Sequence, residues 1–150
     1  MSLKEEVDLL RNIPLFANVE PSKLKLLAFA SDRLTFAAGQ ELFRQGDAAD
    51  AAYILIDGSA EVLVDAAGGP VEVAQLGKND IVGEIAIVCD VPRTATVKAM
   101  SSVTALVVSR ELFFQMICEY PQIGIEVMRE LARRLERTTA QLREAVSFRS

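Results

Sequence analysis

Ala52-Tyr53-Ile54-Leu55-Ile56-Asp57-Gly58-Ser59-Ala60-Glu61-Val62-Leu63-Val64 is the stretch whose reading decides the architecture of this 150-residue chain. Two runs rich in β-branched and aromatic residues flank an Asp-Gly step with the chemistry of a hairpin turn, so the stretch reads strand, turn, strand. The same punctuation continues in both directions. Glycines at 39, 46, 58, 68, 69, 77 and 83 cut the chain at short intervals between about Leu34 and Ser109. Between them lie Glu41-Leu42-Phe43-Arg44 and Val71-Glu72-Val73-Ala74-Gln75-Leu76, with Gly68-Gly69-Pro70 as a second hairpin turn, and Thr94–Ala99 and Val103–Val108 follow. About eight short strands with little room for helices between them predict an α+β chain. Its centre is an antiparallel eight-stranded β jelly roll over residues 31–109, not a parallel α/β sheet.

Both ends read as helix. Ser2 followed by Glu5 forms a capping box, Leu3, Val7 and Leu10 share a face, and after a turn at Ile13-Pro14-Leu15-Phe16, Pro21 suits a first helical position. Leu24, Leu27 and Ala28 then give the next apolar stripe, which places N-terminal helices over residues 1–30. Downstream, C-terminal helices occupy residues 110–148. Ser109 caps a segment with Leu112, Phe113, Met116 and Ile117, and Pro121 opens a run with no breaker to about Val146. Met128, Leu135 and Leu142 fall seven apart, as do Leu131, Thr138 and Ala145, which is an a/d seam of about two and a half heptads that either packs on another chain or is an intramolecular stripe. Such a helix is roughly 40 Å long at about 1.5 Å per residue, more than the domain needs to cover its own core. It predicts a homodimer through the C-terminal helix, or a downstream protein partner.

Composition removes whole classes of chemistry. The chain has no histidine and two cysteines, Cys89 and Cys118, so histidine triads, His-ligated metals and four-Cys clusters are excluded and no metal site is expected. Both cysteines are expected to be reduced packing residues. With 16 Lys plus Arg against 21 Asp plus Glu, the net charge is −5. Residues 129–150 carry six Arg and three Glu, leaving −8 on the rest. A chain of that balance is a poor binder of nucleic acid, because such binding neutralises phosphates with Lys and Arg. No cationic leader opens the chain and no apolar run approaches the ~20 residues of a membrane span, so a cytoplasmic protein without membrane contact is expected.

One segment does not fit a plain β domain: Ile81-Val82-Gly83-Glu84-Ile85-Ala86-Ile87-Val88, then Cys89-Asp90-Val91-Pro92-Arg93-Thr94-Ala95-Thr96-Val97. A carboxylate inside an apolar run, with an arginine nine positions on, must be compensated once both leave water. Glu84 and Arg93 either form an ordinary loop ion pair or face solvent, or they frame a small anionic ligand. The second arrangement has a workable chemistry. Gly83 permits a turn closed to most residues, Glu84 to Val88 can form a helical turn whose free N–H groups favour an anion, and Arg93 offers a planar fork of donors to two phosphate oxygens. Glu84, an acceptor when ionised, suits a sugar hydroxyl.

Gly83-Glu84-Ile85-Ala86-Ile87 followed by Pro92-Arg93-Thr94-Ala95-Thr96-Val97 resembles the phosphate-binding cassette of cyclic-nucleotide-binding domains, as in the catabolite activator protein and protein kinase regulatory subunits. Gly39, Gly46-Asp47, Gly58 and Ile13-Pro14-Leu15-Phe16 extend the resemblance over nearly the whole chain. The cassette spans residues 82–97. The resemblance implies that Glu84 accepts the ribose 2′-hydroxyl and that Arg93 holds the cyclic phosphate, helped by N–H groups around Ala86 and Ala95. Val62, Val73 and Ala74 fall where family members line the sugar and base pocket. Thr94 matches a position that in similar domains contacts guanine, and Thr138-Thr139 matches hydroxyls that reach adenine from the long helix. The implied ligand is cyclic AMP or cyclic GMP, and the implied role is that of a non-catalytic sensor signalling by ligand-induced closure of that helix.

The sequence ends at Ser150, after the long helix and without the helix-turn-helix of the family's transcription factors, which implies a stand-alone sensor or a domain of a longer chain. Two other functions compete. A jelly-roll metalloenzyme would rely on clustered histidines, which are missing, so no enzyme is expected. A degenerate domain kept as a protein-interaction scaffold is opposed by the presence of both Glu84 and Arg93.

Overall fold

The computed structural model describes residues 2–149. In chain order it contains α1 (Leu3–Arg11), a 3₁₀ turn (Pro14–Phe16), α2 (Pro21–Ala30), β1 (Asp32–Phe36), β2 (Glu41–Phe43), β3 (Ala51–Asp57), β4 (Ala60–Ala66) and β5 (Gly69–Leu76). There follow β6 (Ile81–Val82), α3 (Glu84–Cys89), β7 (Thr96–Ala99), β8 (Val103–Ser109), α4 (Arg110–Glu119) and α5 (Pro121–Arg149). The strands form two four-stranded antiparallel sheets, ordered β1-β8-β3-β6 and β2-β7-β4-β5, the jelly-roll-like α+β arrangement that the punctuation predicts. Helix starts follow their caps. The Ser2 hydroxyl accepts from the Glu5 N–H at 3.2 Å, that of Ser109 from the Leu112 N–H at 3.2 Å, and Pro21 and Pro121 open α2 and α5.

Strand β3 is an unbroken apolar run because both of its faces are covered. Ala51, Tyr53 and Leu55 point between the two sheets, where they meet Phe36, Val97, Val103 and Ala105. Ala52, Ile54 and Ile56 point outward into a second core with Leu10, Phe16, Leu24, Phe113 and Ile123 from the helices. The period of two thus distributes one strand between two cores, and each fully buried aliphatic chain contributes about 1.5–3 kcal/mol.

The Asp57-Gly58 step corrects the expectation of a hairpin: β3 and β4 lie in different sheets, so this turn carries the chain from one layer to the other. Gly58 (φ +90°) passes under the β7–β8 connection, where a Cβ would stand 2.2 Å from the Ser102 carbonyl oxygen. The Ala67-Gly68 turn does close a hairpin, with Ala66 paired to Gly69 across β4 and β5. Two strands escape the sequence reading, β1 and the two-residue β6. The expected strand from Thr94 begins only at Thr96. The backbone of Arg93 is engaged elsewhere, its N–H donating to the Asp47 carbonyl and its own carbonyl accepting from Gly46 N–H.

Two further corrections concern side chains. Cys89 and Cys118 are exposed free thiols rather than packing residues. On α1, Leu10 is buried but Leu3 and Val7 only partly, while Glu6 is fully buried with both carboxylate oxygens engaged by the Arg33 guanidinium of β1. Helix α5 packs Ile123 and Val127 into the outer core; beyond Leu131 its described residues through Val146 are exposed. The seam residues Met128, Leu135 and Leu142 are 60–67% exposed, so none of the described residues covers that stripe.

Candidate functional site

Between the second sheet, α3 and α5 lies a cavity of about 730 Å³, within the ~300–1,000 Å³ of small-molecule sites. Its floor is set by Gly83, whose φ of +92° lets the chain turn from β6 straight into α3. A Cβ there would come within 2.5 Å of Arg93 Nη1. The first turn of α3 contributes Glu84, Ile85 and Ala86 to the wall, and the segment after Pro92 contributes Arg93, Thr94 and Ala95. All ten sequence-predicted site residues line this one cavity: these six with Gly83, Val62, Val73 and Thr138. Val73 is the extra residue of a β-bulge between β4 and the edge strand β5, since Val62 pairs with Ala74 and Leu63 with Glu72.

Arg93 is 3% exposed. Its Nη1 donates to the Gly83 carbonyl at 2.8 Å and its Nη2 to the Ala51 carbonyl, while Nε has no partner. The guanidinium lies 4.1 Å over the Phe43 ring, and Asp50, the nearest carboxylate, stands 3.7 Å away and mostly in solvent. Burial lowers the affinity of this guanidinium for its proton, against the opposing influence of Tyr53, Asp50, Asp47 and Glu84. Neither the loop ion pair nor the solvent-facing arrangement exists: among the described residues no ion pair joins Glu84 to Arg93, and both are buried.

Glu84 is fully buried, with both carboxylate oxygens lacking a hydrogen-bond partner. Burial first, and then the negative charge of Glu130, pushes the Glu84 carboxyl up to about 8. One cavity therefore presents a desolvated cation and an unsatisfied acceptor. The arrangement can hold an anion beside a hydroxyl.

Residues 33–120 match the family model described as the cyclic nucleotide-binding domain. The chain belongs to that family. A curated relative of this cyclic nucleotide-binding domain is the CRP-like cAMP-activated global transcriptional regulator of Mycobacterium tuberculosis, 29% identical over 140 residues, or 93% of this chain. The chain spans 62% of that relative's length. Among solved structures, the catabolite activator protein of Thermus thermophilus is 27% identical with a TM-score of 0.78, covering 86% of this chain and 61% of that one. The sensor domain of the regulator DNR from Pseudomonas aeruginosa shares the fold, with a TM-score of 0.80 at 22% identity over 92% of this chain and 93% of its own.

The sequence reading missed Phe43, Glu72, Arg134, Arg137 and Gln141, all in the wall of the cavity. A signal was present on the long helix. Arg134, Thr138 and Gln141 stand four and three apart on α5, the spacing of one helical face. Glu72 and Phe43 reach the cavity through sheet pairing, which leaves no local mark. No helix among the described residues is long and apolar enough to cross a membrane, and no cluster of His, Cys, Asp or Glu that could hold a metal occurs among them.

Proposed function

We propose that the chain binds a cyclic nucleotide, cyclic AMP or cyclic GMP, and acts as a non-catalytic sensor. One observation carries the reading: a buried guanidinium with an unpaired Nε and a buried carboxyl with no partner line the same cavity. A cyclic phosphate on Arg93 and the N–H groups of the cassette would answer the first, and a ribose 2′-hydroxyl on Glu84 the second. The base then lies along Val62, Val73 and Ala74 toward Thr138, with Thr94 at the rim. Membership of the family and the cyclic-AMP-activated relative support the ligand class. Signalling is a population shift: the nucleotide favours the arrangement in which α5 closes on the base, by its differential affinity for the two states. The exposed seam of Met128, Leu135 and Leu142 is the surface through which two copies pair, or through which a partner protein is engaged.

Thermal unfolding with each nucleotide tests the proposal, because a ligand that binds only the folded state raises the midpoint with concentration. A shift with one nucleotide, and a calorimetric affinity weakened about 30- to 4,000-fold by Arg93→Ala, is the expected result; that range corresponds to a loss of about 2–5 kcal/mol. The absence of a shift with both nucleotides would leave the interaction scaffold as the reading. Unchanged affinity in Arg93→Ala would remove the arginine from it.

A further inference from the structure

Helix α5 holds the groups that can tell one base from another. The sheet wall of Val62, Val73 and Ala74 can cover a ring but carries no side-chain donor or acceptor. Helix α5 adds Arg134, Arg137, Thr138 and Gln141 to the same cavity, spaced i, i+3, i+4 and i+7 and therefore on one face. That face runs outward from the cassette. Glu130, which holds Arg134 at 3.1 Å, lines a smaller cavity with Ile81, and Ile81 of β6 also borders the main one, so this level of α5 lies beside the entry to the cassette. At about 1.5 Å per residue, Arg137 stands about 4.5 Å beyond Arg134 and Gln141 about 10 Å beyond it. Of the two arginines only one is committed. Arg134 is paired with Glu130, whereas among the described residues neither an ion pair nor a side-chain hydrogen bond engages the Arg137 guanidinium.

We infer that Arg137 reads the O6 and N7 edge of a guanine base, and so makes cyclic GMP the preferred ligand of this cavity. The inference rests on the cavity being a nucleotide site. A guanidinium is a planar fork of donors with no acceptor. Guanine presents two acceptors side by side, O6 and N7, while adenine presents N7 beside its N6 amino donor. The fork matches the first edge at both points and the second at one, with the amino group set against it. With the phosphate on Arg93 and the ribose on Glu84, the ring passes along Val62 and Ala74 and turns that edge to α5. Gln141, one turn beyond Arg137, carries an amide that suits adenine, but a charge-assisted hydrogen bond is roughly twice as strong as a neutral one, so the arginine decides. Arg137 is exposed in the ligand-free protein, and its replacement leaves both cores untouched.

Titration calorimetry with four cyclic nucleotides tests the assignment. Wild type should bind cyclic GMP about 5- to 150-fold more tightly than cyclic AMP, the range of one bidentate base contact. Cyclic IMP, which keeps O6 and N7 but lacks the 2-amino group, should bind like cyclic GMP, and 7-deaza-cyclic GMP, which lacks N7, should fall toward cyclic AMP. In Arg137→Ala the two natural nucleotides should bind alike. In Arg137→Gln the preference should pass to cyclic AMP, because an amide fits the N6 and N7 edge of adenine. A wild type that prefers cyclic AMP, or binds both equally, overturns the assignment and leaves the nucleotide site standing. Cyclic IMP binding like cyclic AMP also overturns it, since the reading would then fall on the 2-amino group and on Thr94. So does an equal loss for both nucleotides in Arg137→Ala, the mark of an arginine that holds the phosphate or pairs with Glu72 of the same cavity. Failure of wild type to bind either nucleotide removes the site itself and the assignment with it.

Discussion

Replacing Gly83 by alanine separates backbone strain from the room that Arg93 needs. The residue has φ +92°, and a Cβ would stand 2.5 Å from Arg93 Nη1 and 3.3 Å from the Ala51 carbonyl oxygen. A Cβ in the left-handed region costs about 1–2 kcal/mol. The guanidinium cannot swing away freely, because the same Nη1 donates to the Gly83 carbonyl at 2.8 Å and Nη2 is held by Ala51. Breaking a buried hydrogen bond to a charged group adds about 1.5–3 kcal/mol, so Gly83→Ala should destabilise the protein by about 2.5–5 kcal/mol. Gly39 is the control. It has nearly the same φ, +88°, but a Cβ added there would meet nothing within 4 Å, so Gly39→Ala should cost only the strain, about 1–2 kcal/mol. Urea unfolding followed by circular dichroism gives both values, and the difference between them isolates the displacement of Arg93. Gly83→Ala should also lose the nucleotide-induced rise in melting temperature while Gly39→Ala keeps it. Equal destabilisation of the two variants, within about 0.5 kcal/mol, would refute the claim that Gly83 is small in order to seat the arginine.

The ligand-free protein should lose stability as pH rises. Glu84 goes from its ordinary value of 4.5 in the unfolded chain to about 8 when folded, so between these limits the folded state keeps a proton that the unfolded state has lost. Stability then falls by up to about 1.4 kcal/mol per pH unit across that window and levels off above it. Chemical unfolding from pH 5 to 9 should show this slope in wild type but not in Glu84→Gln, and parallel profiles would contradict it. Arg33→Ala should destabilise the protein by about 3–5 kcal/mol, since it strands the fully buried Glu6 carboxylate; the double replacement Glu6→Leu with Arg33→Met should cost less than Arg33→Ala alone, and a larger loss would show that the pair is net stabilising. Leu135→Glu with Leu142→Glu should reduce the sedimenting mass of wild type from two chains to one, and a wild type that sediments as a single chain would remove the self-pairing of α5.

What could be read from the sequence was local, and what could not was long-range. The cassette is contiguous, so Gly83, Glu84 and Arg93 announce themselves within eleven residues, and Ser2, Pro21, Ser109 and Pro121 mark helix starts by their own backbone preferences. Glu6 shows the opposite case. In sequence it is an ordinary acid in the first turn of a capped helix, and it is buried only because Arg33, 27 positions away on β1, reaches both its oxygens. Asp57-Gly58 has hairpin chemistry, yet the glycine is required by the Ser102 carbonyl above it, a neighbour 44 residues later that no turn rule contains. The Glu84 and Arg93 spacing raised the question of pairing, but only the fold shows that the two do not pair: Arg93 donates to two carbonyls, and Glu84 is buried with both carboxylate oxygens unpartnered.

Arg93 is fixed before any ligand arrives, by β3 through Ala51, by α3 through Gly83 and by the Gly46-Asp47 turn through its backbone. Its dehydration and its side-chain ordering are therefore costs of folding and not of capture. Nucleotide analogues that share the cyclic phosphate but differ in base should consequently reach the site at similar speeds, and their affinities should diverge in how long each one stays. In the binding mode we propose, selectivity is then a matter of residence time, set at the far wall by α5 and the bulged edge strand.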